Sequence, residues 1–388
     1  MKIGIEAQRI FRKNKHGMDY VVLQEIKELQ RMDKENEYFV FVRPDEDRCL
    51  TPSRRVHIVE VKCPSYPLWE QWALPRAARK CGVELLHCTS NTAPIWCDIP
   101  LVLTLHDIIF LEPRDKQNHS LYQNLGWLYR RLVVPRILDK CQRIITVSNF
   151  EKQNIISKLQ IPEERITMIY NGYNEWFKPM NEERGKKEGK TEIEEGYFFF
   201  LGNTDPKKNT ERTLVAYARY LERSLVQRPL LMADLDKSYM DDIIRRNDIE
   251  HIREHIVMPG YIPNSELPKV YNRAFAFLYT SLRESFGIPL LEAMACGTPV
   301  ITSNTSSMPE IGGKDAILVN PESSEEITQA MLRLETDPAW YEQQRQHGLQ
   351  RVKLFSWKRT AEELRKVYEE THPGPPCGGR EELRVESY

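Results

Sequence analysis

Residues 283–301 read Arg283-Glu284-Ser285-Phe286-Gly287-Ile288-Pro289-Leu290-Leu291-Glu292-Ala293-Met294-Ala295-Cys296-Gly297-Thr298-Pro299-Val300-Ile301. The apolar run Phe275–Tyr279 before them predicts a strand. Pro289 suits the first turn of a helix, where its missing N–H leaves no bond unmade. Gly297 suits the left-handed stop behind that helix. The unit is therefore strand, loop, helix, strand. Glu284 falls in the loop at the carboxyl end of the strand, and Glu292 falls inside the helix. The backbone N–H groups of Ser285, Phe286, Gly287 and Ile288 point out of a helix amino terminus, which favours a phosphate. A carboxylate accepts two hydrogen bonds and so fits a vicinal diol. Two acids flanking a phosphate site predict a ligand built as sugar, diphosphate and ribose. The plainer alternative, two solvated charges, leaves the agreement of residue types and spacing unexplained.

Outward from this segment, short apolar runs alternate with helical patterns along the chain. Strands are predicted at Lys2–Glu6, Tyr38–Arg43, His57–Val61, Glu84–Cys88, Leu101–His106, Arg143–Val147 and Ile166–Tyr170. In the second half they are predicted at Tyr197–Leu201, Leu230–Ala233, Ile256–Met258, Phe275–Tyr279, Pro299–Thr302 and Ala316–Val319. Continuously apolar strands separated by helices imply parallel sheets covered on both faces. Helices are predicted at Val21–Met32, Leu121–Lys140, Glu211–Arg223, Glu325–Leu334 and Lys358–Tyr368, with Ser323 and Glu326 as a capping box. The stretch 181–195 is dominated by charge and reads as a linker or exposed loop. The expected architecture is α/β: two Rossmann-like, doubly wound domains, 1–178 and 179–370, facing a central cleft. The closing helix 356–370 is a candidate for packing back on the first domain. Residues 371–388, with His-Pro-Gly-Pro-Pro-Cys-Gly-Gly, read as a tail. Ligands of open α/β sheets bind outside the carboxyl ends of the strands, which directs attention to residues there.

Lys207 and Lys208 follow the strand 197–201 and suit a diphosphate, whose charge grows as it departs. His106 and Asp107 end the strand that begins at Leu101; Asp107 is a candidate for holding the imidazole tautomer. Gly17, between the first strand and the first helix, is a single-glycine phosphate-loop signal.

The 388 residues carry 55 basic and 56 acidic side chains, a balance that argues against a general nucleic-acid binder. With 41% hydrophobic residues there is material for two cores, but no apolar run is long enough to cross a bilayer. The eight cysteines form no C-x-x-C pair and read as reduced thiols, and the start lacks a signal-peptide core, so a cytoplasmic chain is expected. There is no G-x-G-x-x-G and no P-loop. His251 and His255 lack the metalloprotease Glu, and Asp234-Leu235-Asp236 reads as a loop, so no metal site is expected. Over Leu121–Lys140, Trp127 and Tyr129 interleave with Arg130, Arg131 and Arg136. That pattern makes the helix a candidate for peripheral contact with an anionic membrane surface, at the inner face of the membrane; the alternative is a domain helix with its apolar side inward.

The segment 283–301 resembles the Glu-x7-Glu signature of the family 4 retaining glycosyltransferases of GT-B fold. Further resemblances are Val147-Ser148-Asn149-Phe150 with Ile161-Pro162-Glu163-Glu164-Arg165-Ile166 and Asn171-Gly172; Leu201-Gly202-Asn203-Thr204-Asp205-Pro206-Lys207-Lys208-Asn209; Met308-Pro309-Glu310-Ile311-Gly312; and Phe355-Ser356-Trp357. The resemblance runs over residues 1 to 370. It implies a retaining hexosyltransferase, of mannosyl or glucosyl type, acting in cell-surface polysaccharide synthesis. The donor would be a nucleotide-diphosphate sugar and the acceptor a glycan or lipid-linked sugar, with no cofactor. It also implies that Glu284 contacts donor-sugar hydroxyls, Glu292 the ribose diol and Lys208 the diphosphate, while His106 positions the sugar. The family's arginine in the 201–209 loop is replaced here by Asn203, leaving Lys207 as the substitute. Two other readings stay open: a GT-B nucleotide-sugar epimerase, and a non-catalytic sugar-nucleotide-binding partner.

Overall fold

The computed structural model describes residues 1–13, 15, 17–112, 121–180 and 196–371. The predicted linker 181–195, the tail from 372, His16, and the side chains of Leu121 and Tyr122 lie outside the described residues. The chain forms two compact units. Among the described residues, the first holds those of Met1–Thr146 and Ile155–Ile169 together with Ala361–Thr371, and the second holds Val147–Asn154 and those of Tyr170–Thr360. Burial places Val147–Asn154 in the second unit and Ile155–Ile169 in the first, unlike the contiguous 1–178 and 179–370 expected, while the closing helix packs on the first unit as expected. Val147 packs with Phe177, Tyr197 and Phe199 of the second unit. Ala361, Leu364, Val367 and Tyr368 fall on one face of the helix Trp357–Thr371 and pack with Ile3, Ile5 and Val22 of the first.

The first unit has a sheet of β1 (Lys2–Glu6), β2 (Glu37–Val42), β3 (Val56–Glu60), β4 (Leu85–Cys88), β5 (Leu101–Thr104), β6 (Cys141–Thr146) and β7 (Ile166–Met168), in spatial order β3-β2-β1-β4-β5-β6-β7. The second has β8 (Tyr197–Leu201), β9 (Leu230–Ala233), β10 (Ile256–Gly260), β11 (Ala274–Tyr279), β12 (Val300–Ser303) and β13 (Ile317–Val319), in order β10-β9-β8-β11-β12-β13. All pairings in both sheets are parallel. Each order reverses beside the first strand of its sheet, at β1/β4 and β8/β11. At such a switch point the loops leaving two neighbouring carboxyl ends diverge and open a crevice.

The apolar runs form strands because both sheet faces are covered. Successive side chains of β8 alternate: Phe198 and Phe200 enter one core, Tyr197 and Phe199 the other. The Ser323 hydroxyl accepts the Glu326 N–H at 3.1 Å, as a helix cap should. The box does not close as expected, since the Glu326 carboxylate instead accepts the Asn320 N–H at 2.8 Å.

In the helix Leu121–Ile137 the two aromatics expected at a lipid surface turn inward. Trp127 and Tyr129 pack against the first unit's core, and Arg131 lies 4.5 Å over the Trp127 ring. Leucines 125, 128 and 132 face outward instead. Tyr129 is held inward by an acid: Glu70, fully buried in the π-helical turn Trp69–Ala73, accepts from the hydroxyls of Tyr129, Thr92 and Tyr66 and from Gln71 Nε2. Burial pushes the Glu70 carboxyl up, against the three hydroxyls that favour its charge. No described helix is long and apolar enough to cross a membrane.

Glu70→Ala strands the hydroxyls of two half-buried tyrosines and a buried threonine, so it should lower stability by about 3–5 kcal/mol. Urea unfolding checks this; a midpoint equal to that of the unsubstituted protein would show that the cluster does not hold the helix.

Candidate functional site

Two loops of the second unit leave neighbouring strand ends, and the candidates Lys207, Lys208, Glu284, Ser285, Phe286 and Gly287 lie on them. The first follows β8: Asp205 accepts the Lys207 N–H at 3.1 Å and caps the turn Pro206–Lys208. Asn209, at φ 61°, lets the chain enter the helix Thr210–Arg223. The second loop follows β11. The Leu282 N–H donates to the Lys207 carbonyl at 2.7 Å, and Asn209 Nδ2 donates to the Thr280 carbonyl at 3.0 Å. The hydroxyls of Thr213 and Thr280 meet at 2.6 Å.

These bonds bring Lys208 Nζ to 2.7 Å from Glu284 Oε1, with both side chains mostly shielded from solvent. The ammonium also lies 5.6 Å over the Tyr279 ring. Glu284 is fixed through its backbone as well. Its N–H donates to Ser306 Oγ at 3.2 Å, and its carbonyl accepts from Ser307 Oγ at 2.9 Å. Lys207 points elsewhere and pairs with Asp205 at 3.3 Å, more exposed than Lys208.

Gly287 sits at φ 102°, and a Cβ there would come within 2.7 Å of Met308 Cε. The backbone conformation favours glycine there, and any side chain would also have to displace the end of Met308. The helix Ile288–Ala295 starts directly after it, with Pro289 in its first turn, and Gly297 at φ 74° follows its end, as expected. Phe286 is a core residue: its ring packs 6.0 Å from those of Tyr170 and Phe355, so only its backbone is left for a ligand. The Ser285 carbonyl accepts from the Ser148 hydroxyl at 2.8 Å. Glu292 is buried at 6% exposure and forms no ion pair among the described residues. Burial alone pushes its carboxyl up to about 8.

His106 and Gly17 belong to the first unit. His106 is buried; its Nε2 lies 3.0 Å from the Thr89 carbonyl, which can only accept, so Nε2 carries the proton. Burial pushes this imidazole down, opposed by Asp107. The tautomer is set by Thr89 and not by Asp107, whose carboxylate accepts the Ile109 N–H at 3.1 Å. Gly17 opens the helix Gly17–Met32, which begins four residues earlier than expected. A Cβ there would meet nothing, so the fold itself does not require glycine at that position. Asp236 accepts the Ser238 N–H at 2.8 Å and caps the next helix. Among the described residues there is no group of three or more His, Cys, Asp or Glu placed for a metal.

Sequence reasoning missed the partners that hold the loop. Arg283 pairs with the buried Glu151 at 2.5 Å. Glu310 accepts the Asn149 and Phe150 N–H groups at 2.8 and 3.0 Å. The available signal was the Ser148-x-x-Glu151 spacing of a helix cap, though the Glu151 carboxylate serves Arg283.

Comparison with known proteins shows the family and the fold. The profile described as Glycosyl transferases group 1 matches residues 181–351, and that of Glycosyltransferase Family 4 matches residues 16–176. The O-antigen chain mannosyltransferase B of Escherichia coli is 30% identical over 272 residues, covering 66% of this chain and 67% of that one. A serotype-specific mannosyltransferase WbdA of the same species is 28% identical over 272 residues, of which this chain spans only 33% of the length. Among solved structures, a sucrose-phosphate synthase from Thermosynechococcus elongatus superposes with a TM-score of 0.74 at 20% identity, covering 95% of this chain and 98% of that one. Anabaena Alr3699/HepE, in complex with UDP and glucose, gives 0.70 at 16% identity, with 95% and 99% covered. At these identities the structures speak for the fold, which is GT-B.

Glu292 gives a pH signature. Its carboxyl, ordinarily at 4.5, is raised to about 8 in the folded state. The stability it contributes is complete below about pH 4.5 and is lost as pH rises through about 8. Glu292→Gln has no charge to desolvate, so its Tm should gain on that of the unsubstituted protein across this window. A pH-independent Tm difference in scanning calorimetry would contradict the burial.

Proposed function

Because the chain belongs to the group 1, family 4 glycosyltransferases, we propose that it is a retaining hexosyltransferase. It moves a mannosyl- or glucosyl-type group from a nucleotide-diphosphate sugar to a glycan or lipid-linked acceptor in cell-surface polysaccharide synthesis. The observation that carries the reading is the Lys208–Glu284 pair, 2.7 Å apart at the switch point of the second unit. Transfer breaks the bond from the anomeric carbon to the phosphate oxygen, and charge grows on the departing nucleoside diphosphate. A shielded ammonium at that place stabilises this charge more than bulk water would. Glu284, beside it, accepts hydroxyls of the transferred sugar. Glu292 takes the ribose diol, the amides at 285–288 face the sugar and phosphate, and Lys207 adds a second cation. His106 acts on the sugar as a neutral imidazole. The mannosyltransferase relatives and the UDP- and glucose-bound neighbour support the donor class. For a lipid-linked acceptor, Arg130, Arg131 and Arg136 with the outward leucines form the surface for peripheral contact. Salt-sensitive flotation with anionic liposomes is the readout, and flotation that ignores salt counts against it.

Lys208→Ala should lower kcat/KM by about 10²-fold or more, as loss of an oxyanion donor does. Glu284→Gln should impair turnover while sparing nucleoside diphosphate affinity, and Glu292→Gln should chiefly weaken that affinity. Equal losses of nucleotide affinity in both acid variants would contradict this division.

A thermal-shift panel of GDP-mannose, UDP-glucose and ADP-glucose should single out one donor. With that donor, transfer should persist in EDTA and the NMR-assigned product should keep the donor's anomeric configuration. Inversion, dependence on Mn²⁺, or change of the donor without an acceptor would each sink the reading.

A further inference from the structure

Glu284 is flanked in sequence by two anchored residues, and both anchors lie in one short stretch, Val147–Asn154, that packs within the second unit. Before it, Arg283 pairs with Glu151, whose side chain is fully buried. The guanidinium also lies 4.8 Å over the Phe150 ring and donates to the Glu284 carbonyl at 3.3 Å. After it, the Ser285 carbonyl accepts from the buried Ser148 hydroxyl at 2.8 Å. Ser148 Oγ in turn accepts the Glu151 N–H at 3.2 Å, which ties the two anchors together. The stretch itself is held by Glu310: its carboxylate sits at the helix amino terminus, where charge and dipole agree, and it also takes the Tyr170 hydroxyl at 2.7 Å.

A buried ion pair adds little net stability over apolar packing, because desolvation offsets the attraction. Its consequence here is geometric. A tie meant only to hold the loop down would serve at any position between β11 and the next helix. These ties fall on the residues directly before and after the acid, and leave its carboxylate to Lys208 and the Tyr279 hydroxyl.

We propose that Glu151 and Ser148 are positioning residues for sugar transfer, acting through Arg283 and the Ser285 carbonyl to set the Glu284 carboxylate against the donor sugar. This rests on the reading that Glu284 binds that sugar. A displacement of about 1 Å at such a group lowers turnover by roughly 10²-fold.

The test is a pair of double-mutant cycles in the full chain, Glu151→Gln with Glu284→Gln and Ser148→Ala with Glu284→Gln. The substrate is the nucleotide sugar that responds in the panel, and calorimetry with its nucleoside diphosphate runs in parallel. Each single anchor variant is expected to lower kcat by roughly 10-fold to 10²-fold with nucleoside diphosphate affinity unchanged. In the Glu284→Gln background each should add less than about 3-fold, since the group it sets is gone. Losses that multiply in the double variants overturn the proposal, as does loss of nucleotide affinity in parallel with kcat. Unchanged kcat in both anchor variants beside an impaired Glu284→Gln overturns the proposal alone. Unchanged kcat in Glu284→Gln overturns the sugar-binding reading itself, and the proposal with it. Should Glu151→Gln fail to fold, Ser148→Ala, which deletes one hydroxyl, decides the matter.

Discussion

The parallel pairing of β8 with β11 is the constraint on which the site depends. Phe199 faces Phe277 and Phe200 faces Leu278, so two strand ends far apart in sequence emerge side by side. The loops leaving them are then close enough for the Leu282 N–H to reach the Lys207 carbonyl, and Lys208 arrives at Glu284. A one-residue slip would carry Phe198 and Phe200 out of one core and Tyr197 and Phe199 out of the other. Burial on both faces thereby specifies the register, and the register specifies the meeting of acid and base.

The two acids of the 284–292 segment receive opposite treatment from the fold. Glu284 is given an ammonium at bonding distance and a fixed backbone. Glu292, on the helix that follows, is given apolar surroundings that favour its protonated form up to about pH 8. The first unit treats His106 similarly: burial pushes its imidazole down, and the Thr89 carbonyl decides which nitrogen holds the proton.

Much of this is legible in the residues. The central strands β8, β9 and β11 are visible as short apolar runs, because strands covered on two faces have few polar positions to blur the pattern, whereas β3 and β10 at the sheet edges are partly exposed. Pro289 and Gly297 mark the helix between β11 and β12 through their own backbone limits. Where other groups decide, the reading fails. The helix at Gly17 starts early, with Asp19 of its first turn paired to Arg9 at 3.0 Å. In the helix Leu121–Ile137, an acid from elsewhere in the chain draws Tyr129 inward and leaves the leucines out.

The sequence by itself determined the α/β class, the strand set, the helix signals around 283–301 and the family, since these rest on local periodicity, on backbone preferences and on motifs within one segment. Only the tertiary structure decided which segments share a core, that Glu284 meets Lys208 while Lys207 turns to Asp205, and that Ser148, Glu151 and Glu310 brace the loop. Apart from the local Lys207–Asp205 pair, those outcomes depend on contacts between residues tens to more than a hundred positions apart. No local pattern encodes such contacts, because each is selected by burial and hydrogen-bond satisfaction once both sheets have closed.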